Sequence, residues 1–551
     1  MKKLYMILLG LMLGASTLLA QPGTVQKVAK SVFTLTTFNK DGGIIASTQG
    51  VFIDNKGTAI STFKPFIGAT KATIIDASGK SMDVESIMGA DELYNVAKFK
   101  VATSSQAAAI AATPAQKGEK AWLVPYSIKK PAYQQEDISN VETFNTSYNC
   151  YIFTCSVPDN AEGCPFVNKN GQIIGLMHNT DGSVTAIDAN FIKQLHVTGL
   201  STLDAALRET SIRTALPDTE QDAITMVTIN KGQRSADDNM KYADEFLEKF
   251  PSSAFGYKEK ATLLTAKDEF AAADKLMQEG TKKAAKKDEA YSNYADLIYQ
   301  KVIYKGDSIY PDWNAQKALE MVQKAYSLKA DPIYKHQEGQ ISFLKKDYQK
   351  AYDLFMECTK TPINNGELYL EAAQAKSLLK APDSEIMALL DSAVEVGKRT
   401  GVVAPYYLTR AQMLDAQGKY REALKDYNQY DSIARPTDPT FFYARYKCEL
   451  KLRQWQQALL DIARASYINP KEPTYLAEWA SLDLRVKRYD EGISAATACT
   501  KIAPEYPDGY LLLGILQLES NKDKDSGIKN LEKAKELGDP RAEEYLKKYK
   551  K

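Results

Sequence analysis

Asp159-Asn160-Ala161-Glu162-Gly163-Cys164-Pro165-Phe166-Val167-Asn168, followed by Gly171-Gln172-Ile173-Ile174-Gly175-Leu176, is the stretch on which the N-terminal half of this chain turns. It reads as a tight glycine-assisted turn, a short strand, a polar hairpin and a second apolar strand. Working outward, residues 25 to about 196 keep the same texture of short, alternating apolar runs. Candidate strands are 31–38, 43–54, 58–63, 71–75, 82–87, 96–101, 120–126, 150–155, 165–168 and 173–177. Turn residues such as Asp41-Gly42, Asn55-Lys56-Gly57 and Ser78-Gly79 separate them. Many short strands without intervening helices predict a barrel or a sandwich, and periodicity alone does not choose between them.

The residues also carry a resemblance. With Gly163 and Pro165 in register, the opening stretch is similar to the nucleophile loop of trypsin-like serine peptidases, the HtrA/Deg branch in particular. In that loop the serine position is Glu162. The run Ser47-Thr48-Gln49-Gly50-Val51-Phe52-Ile53-Asp54-Asn55-Lys56-Gly57 resembles the branch's small-residue run, apolar strand and Asp-x-x-Gly turn. Ile60-Ser61-Thr62-Phe63-Lys64-Pro65-Phe66 resembles the segment that carries the catalytic histidine, and Lys64 holds that position. Gly89-Ala90-Asp91 with Asn95-Val96-Ala97-Lys98-Phe99 resembles the segment of the catalytic aspartate, with Asn95 in its place. The resemblance implies an all-β double barrel in which all three triad positions are substituted.

The chemistry of those substitutions predicts silence. Acyl transfer of this kind needs a hydroxyl or thiol nucleophile, a base that titrates near neutrality and an acid that orients the base. A carboxylate at 162 is no such nucleophile, and lysine is ordinarily protonated at neutral pH. Asn160 and Cys164 also replace two loop glycines of the family, the first of which helps form its oxyanion hole. A salt bridge between Glu162 and Lys64 is expected in place of the serine–histidine hydrogen bond. The alternative is a Cys164–His178 pair acting as a thiol hydrolase.

With 551 residues the chain exceeds one core, so more than one domain is expected. Lys and Arg number 70 against 69 Asp and Glu, a net charge of +1, which argues against a partner bound through a basic field such as nucleic acid. Met1 to Ala20 starts with Lys2 and Lys3, continues apolar and ends in small residues, the pattern of a secretory signal cleaved after Ala20. A second long apolar run is absent from the sequence, so no stable membrane insertion is expected. The protein is therefore expected to be exported, to the periplasm or the cell exterior. The six cysteines lack zinc-ligand spacing, and no metal or cofactor is expected. An oxidising compartment would allow a disulfide such as Cys155–Cys164, with buried thiols as the alternative.

Beyond a connector at 199–217 the apolar spacing becomes helical and self-similar. Small residues at Ala423, Ala458, Gly492 and Gly527 stand 35, 34 and 35 apart (458 − 423, 492 − 458, 527 − 492), each near a large apolar or aromatic neighbour. That period resembles the tetratricopeptide repeat, and implies seven to nine helix pairs with a concave face for a protein or peptide partner. By the same resemblance Gln412, Tyr443 and Lys447 are the partner-binding candidates. The copy around 386–393 departs most from the pattern. The expected architecture is thus a signal at 1–20, a trypsin-like domain at 24–198, the connector, and repeats over 218–551. The function expected of it is binding or scaffolding in the cell envelope.

Overall fold

The computed structural model describes residues 22–128, 133–180, 182–306, 308–521 and 523–550. The secretory-signal segment, Met1 to Ala20, lies outside the described residues. The chain divides into two compact units, 1–290 and 291–551.

The first unit contains two closed, six-stranded antiparallel barrels. In one, β1 (Val32–Phe38), β2 (Ile44–Phe52), β3 (Thr58–Ser61), β4 (Lys71–Ile75), β5 (Ser81–Asp91) and β6 (Val96–Val101) run in the order β1-β2-β3-β6-β5-β4. In the other, β7 (Lys120–Leu123), β8 (Gln134–Phe144), β9 (Tyr148–Phe153), β10 (Pro165–Val167), β11 (Ile173–Thr180) and β12 (Ser183–Asp188) run in the order β10-β11-β12-β9-β8-β7. The choice between sandwich and barrel is settled: β1 closes on β4 and β7 on β10, so neither barrel leaves an edge strand. This is the trypsin-like double barrel.

Alternation along the strands fills the barrels. Phe33 and Leu35 point into the first core, where Phe33 meets Phe52 and Phe99 with ring centres 4.8 and 6.0 Å apart. Phe153 stacks on Phe166 at 4.0 Å in the second. A third cluster joins the two, setting Val32, Val51 and Ile60 against Val124, Val167 and Leu176. The seam between the barrels is therefore apolar and fixed, and it positions the loops that meet there. Downstream, the connector is tied to β5: Ile87 N–H donates to the Arg213 carbonyl and Ala215 N–H to the Ile87 carbonyl, both at 2.8 Å.

Helices Glu220–Asn230, Ala236–Lys249, Ala254–Ala266 and Phe270–Lys283 complete the first unit. The second unit opens within the helix Lys287–Lys305 and is helical to its end. Its helix–turn–helix pairs keep a period. Pro439, Pro473 and Pro507 each start a first helix, 34 residues apart (473 − 439, 507 − 473), where a missing N–H costs nothing. From Pro332 onward, the turn inside each pair has one left-handed residue: Lys346, Lys380, Gly418, Arg453, Lys487 and Asn521. Their spacings are 34, 38, 35, 34 and 34 (380 − 346, 418 − 380, 453 − 418, 487 − 453, 521 − 487). The long step falls where the helix Asp383–Thr400 runs to 18 residues, which is why the sequence pattern fades there. Gly492 shows what the small positions do, since a Cβ on it would lie 2.8 Å from a Leu516 methyl. Among the described residues no helix is long and apolar enough to cross a membrane.

Candidate functional site

The three segments that resemble the triad carriers come together at the seam between the barrels. Asn95, left-handed at φ 52°, ends the turn between β5 and β6 and accepts with its amide oxygen from the N–H groups of Phe63 (3.1 Å) and Lys64 (2.7 Å). Lys64 follows β3 and opens a short 3-10 turn, Lys64–Phe66. The Thr48 hydroxyl on β2 links the remaining segment, contacting the Thr62 hydroxyl at 3.2 Å and donating to the Glu162 carbonyl at 2.9 Å. Asn95 thus braces the backbone at Lys64, and Thr48 joins the strand before Lys64 to the loop at Glu162.

The expected Glu162–Lys64 salt bridge does not form. The Glu162 carboxylate turns to β11, where Oε1 lies 3.0 Å from His178 Nδ1 and Oε2 accepts from Asn179 N–H at 2.9 Å. Two donors on one strand satisfy both oxygens, whereas the Lys64 ammonium is exposed and has no ion pair among the described residues. His178 is 7% exposed, and its Nε2 is buried without a hydrogen-bond partner.

Cys164 and His178 are not joined either. Cys164 Sγ lies 3.0 Å from Gln49 Oε1, while the imidazole is engaged by Glu162. Burial pushes the Cys164 thiol far above its ordinary range, with Glu162 adding to the effect, so little thiolate forms at neutral pH. The disulfide possibility also falls away: Cys150, Cys155, Cys164 and the three cysteines of the helical region are all free.

Gln49 organises this loop and is not legible in the sequence, where it lies in a run of small residues. It is 5% exposed. Its Nε2 donates to the Asn160 carbonyl, and its Oε1 also accepts from Tyr126 N–H at 2.5 Å. Its backbone N–H reaches the Glu162 carbonyl at 3.0 Å. Gly163, at φ 80°, passes so close that a Cβ there would sit 2.2 Å from the Gln49 carbonyl oxygen. Only glycine fits both that dihedral and that gap.

Of the partner candidates, Gln412 and Lys447 are exposed, and the Lys447 ammonium lies 4.8 Å from the centre of the half-buried Tyr443 ring. Tyr443 also meets Tyr475 of the next pair at 5.1 Å. Among the described residues no group of three or more His, Cys, Asp or Glu side chains is placed to hold a metal ion.

No family model matches the sequence, and no curated protein is similar enough to match it. Among solved structures the chain is similar to the serine endoprotease from Yersinia pestis, with 20% identity and a TM-score of 0.27. That alignment covers 31% of this chain and 63% of the endoprotease, so less than two thirds of the relative is spanned. It is also similar to the active form of the Rv3671c protease from M. tuberculosis, with 14% identity, a TM-score of 0.29, and coverage of 36% of this chain and 86% of that one.

Proposed function

We propose that this is an exported binding or scaffolding protein of the cell envelope, with a trypsin-like domain that does not cleave peptides and tetratricopeptide repeats that dock a protein or peptide partner. The state of the three triad-like positions supports silence above all. Asn95 spends its amide oxygen on backbone, Lys64 points to solvent, and Glu162 is bonded to His178 and Asn179. A nucleophile beside a base, which the reaction requires, is missing there. The 34- and 35-residue spacing supports the repeat assignment, and the basic, apolar and small-residue sequence of Met1 to Ala20 supports export.

The test is direct. Purified full-length protein incubated with an unfolded protein substrate is expected to leave it intact, with and without prior alkylation of its cysteines. Cleavage abolished by alkylation would replace this proposal with a thiol hydrolase built on Cys164. Cross-linking in the native cell is expected to capture a partner through the helical repeats, with Lys447 a reactive site near Tyr443. Capture of nothing through either domain would remove the docking half of the proposal.

A further inference from the structure

In three successive helix pairs one register position is buried, and two of the three place a carboxylic acid there. Leu414, Glu449 and Asp483 each accept through the backbone carbonyl from the N–H five residues on, at Lys419, Gln454 and Arg488. They are therefore equivalent, 35 and 34 residues apart (449 − 414, 483 − 449). Leucine is the side chain such an enclosed site ordinarily favours. Glu449 is 4% exposed and Asp483 0%. Neither Asp483 carboxylate oxygen has a hydrogen-bond partner, nor does Glu449 Oε2.

The charged neighbours do not neutralise them. Arg488 approaches Asp483 no closer than 3.7 Å, and its guanidinium is bonded to Glu491 at 2.8 Å, so Glu491 offsets its field. Gly492 faces the Asp483 Cβ, with the Leu516 methyls beside the same glycine. Arg445, one turn before Glu449, is already claimed by Asp461 at 2.6 Å and Asp431 at 2.9 Å. An ionised Glu449 would bring a third carboxylate to that guanidinium, beside the Cys448 thiol and with Asp415 near it.

We propose that the segment from Pro439 to Ile502 is a pH-responsive part of the repeat array, closed while Glu449 and Asp483 are protonated and loosened as they ionise with rising pH. Burial, with Asp461 adding and Arg445 opposing, pushes the Glu449 carboxyl up to about 8. Burial, with Glu491 adding and Arg488 opposing, pushes Asp483 up to about 6. Both folded values lie above the ordinary ones, so the closed form holds more protons than the open form between them. Its advantage is complete below about pH 4 and is lost up to pH 6 for Asp483 and pH 8 for Glu449, by at most about tenfold in the closing equilibrium per pH unit and group. The helix that carries Glu449 also carries Tyr443 and Lys447. An effect on partner binding rests on the proposed function, whereas the opening itself does not.

Hydrogen exchange on the full-length chain separates these cases, with wild type and variant compared at one pH so that intrinsic exchange rates cancel. Relative to E449Q and D483N, wild-type amides in the helices Pro439–Lys451 and Pro473–Arg485 are expected to open at least tenfold more often at pH 8.5, and to differ by no more than about fivefold at pH 4.5. A difference that is independent of pH, or variants that open more than wild type at pH 8.5, would overturn the device. Should an amide substitution itself loosen the pair, E449L and D483L, which copy Leu414, give the same comparison with the same expected sign.

Discussion

Gln49 concentrates three bonds in one buried amide: to the Asn160 carbonyl, the Tyr126 N–H and the Cys164 thiol. Removing that amide strands all three partners where water has little access, and an unmade bond costs more than a made one gains. Gln49→Ala is expected to lower stability by about 2–4 kcal/mol in urea unfolding. It should also turn Cys164 from unreactive to alkylated by iodoacetamide in the native state. A variant within about 0.5 kcal/mol of wild type with an unreactive thiol would mean that the loop is held by something else. Legibility at this scale follows the type of constraint. The turns and strand ends around Lys64, Asn95 and Glu162 were legible because those short segments have fixed turn and strand signatures. The bond of Glu162 to His178 could not, because it depends on which way β11 directs its side chains, a property of register and not of spacing. Gln49 was hidden for a related reason: its three partners lie 77 to 115 residues away.

Between helices, a recurrent ion pair shows how the repeats exchange one solution for another. Arg410 grips Asp426 with Nε and Nη2 at 2.7 and 2.8 Å, and Arg445 grips Asp461 at 2.6 and 2.9 Å. Arg445 and Asp461 lie deeper, and their equivalents 34 residues on are Trp479 and Ala495. A buried pair broken on one side leaves an uncompensated charge, at a cost of about 3–5 kcal/mol, whereas apolar replacement of both sides avoids that cost. Asp461→Ala alone leaves Arg445 its pair with Asp431 and is expected to cost less, about 1–3 kcal/mol, and adding Arg445→Trp should recover part of that in a double-mutant cycle read by thermal unfolding. Additive losses would deny that the two positions act as one. The same contrast explains which elements the sequence revealed. Strands with an apolar inner face, such as β1 and β6, stood out. Strand β8 did not, since Ile138 is its one buried side chain and its hydrogen-bond ladders to β7 and β9 hold it in place. β12 was lost because it begins polar and exposed at Ser183 and follows the hairpin residues directly. The helix pairs were visible wherever proline and small residues kept the 34-residue step, and blurred where the 18-residue helix Asp383–Thr400 lengthened it.

For the whole chain, the two architectures impose different folding problems on one polypeptide. In the barrels the closing contacts are distant: Thr48 reaches the Glu162 carbonyl across 114 positions, and Gln49 reaches Cys164 across 115. In the helical region the defining contacts are near, with Arg410–Asp426 and Arg445–Asp461 each spanning 16 positions. Loop-closure entropy is spent before a distant contact stabilises anything, so local topologies fold faster by orders of magnitude. Each unit carries core clusters of its own, which allows the two to order on separate schedules. After dilution from urea, the amides of the helices from Pro332 to Ile502 are therefore expected to gain protection from exchange within about milliseconds, and those of β1, β2, β10 and β11 only over about seconds. Pulsed hydrogen exchange with mass spectrometry reads both on the same molecules. Barrel strands protected as early as the helices would mean that the long-range contacts between barrels are not what limits this chain.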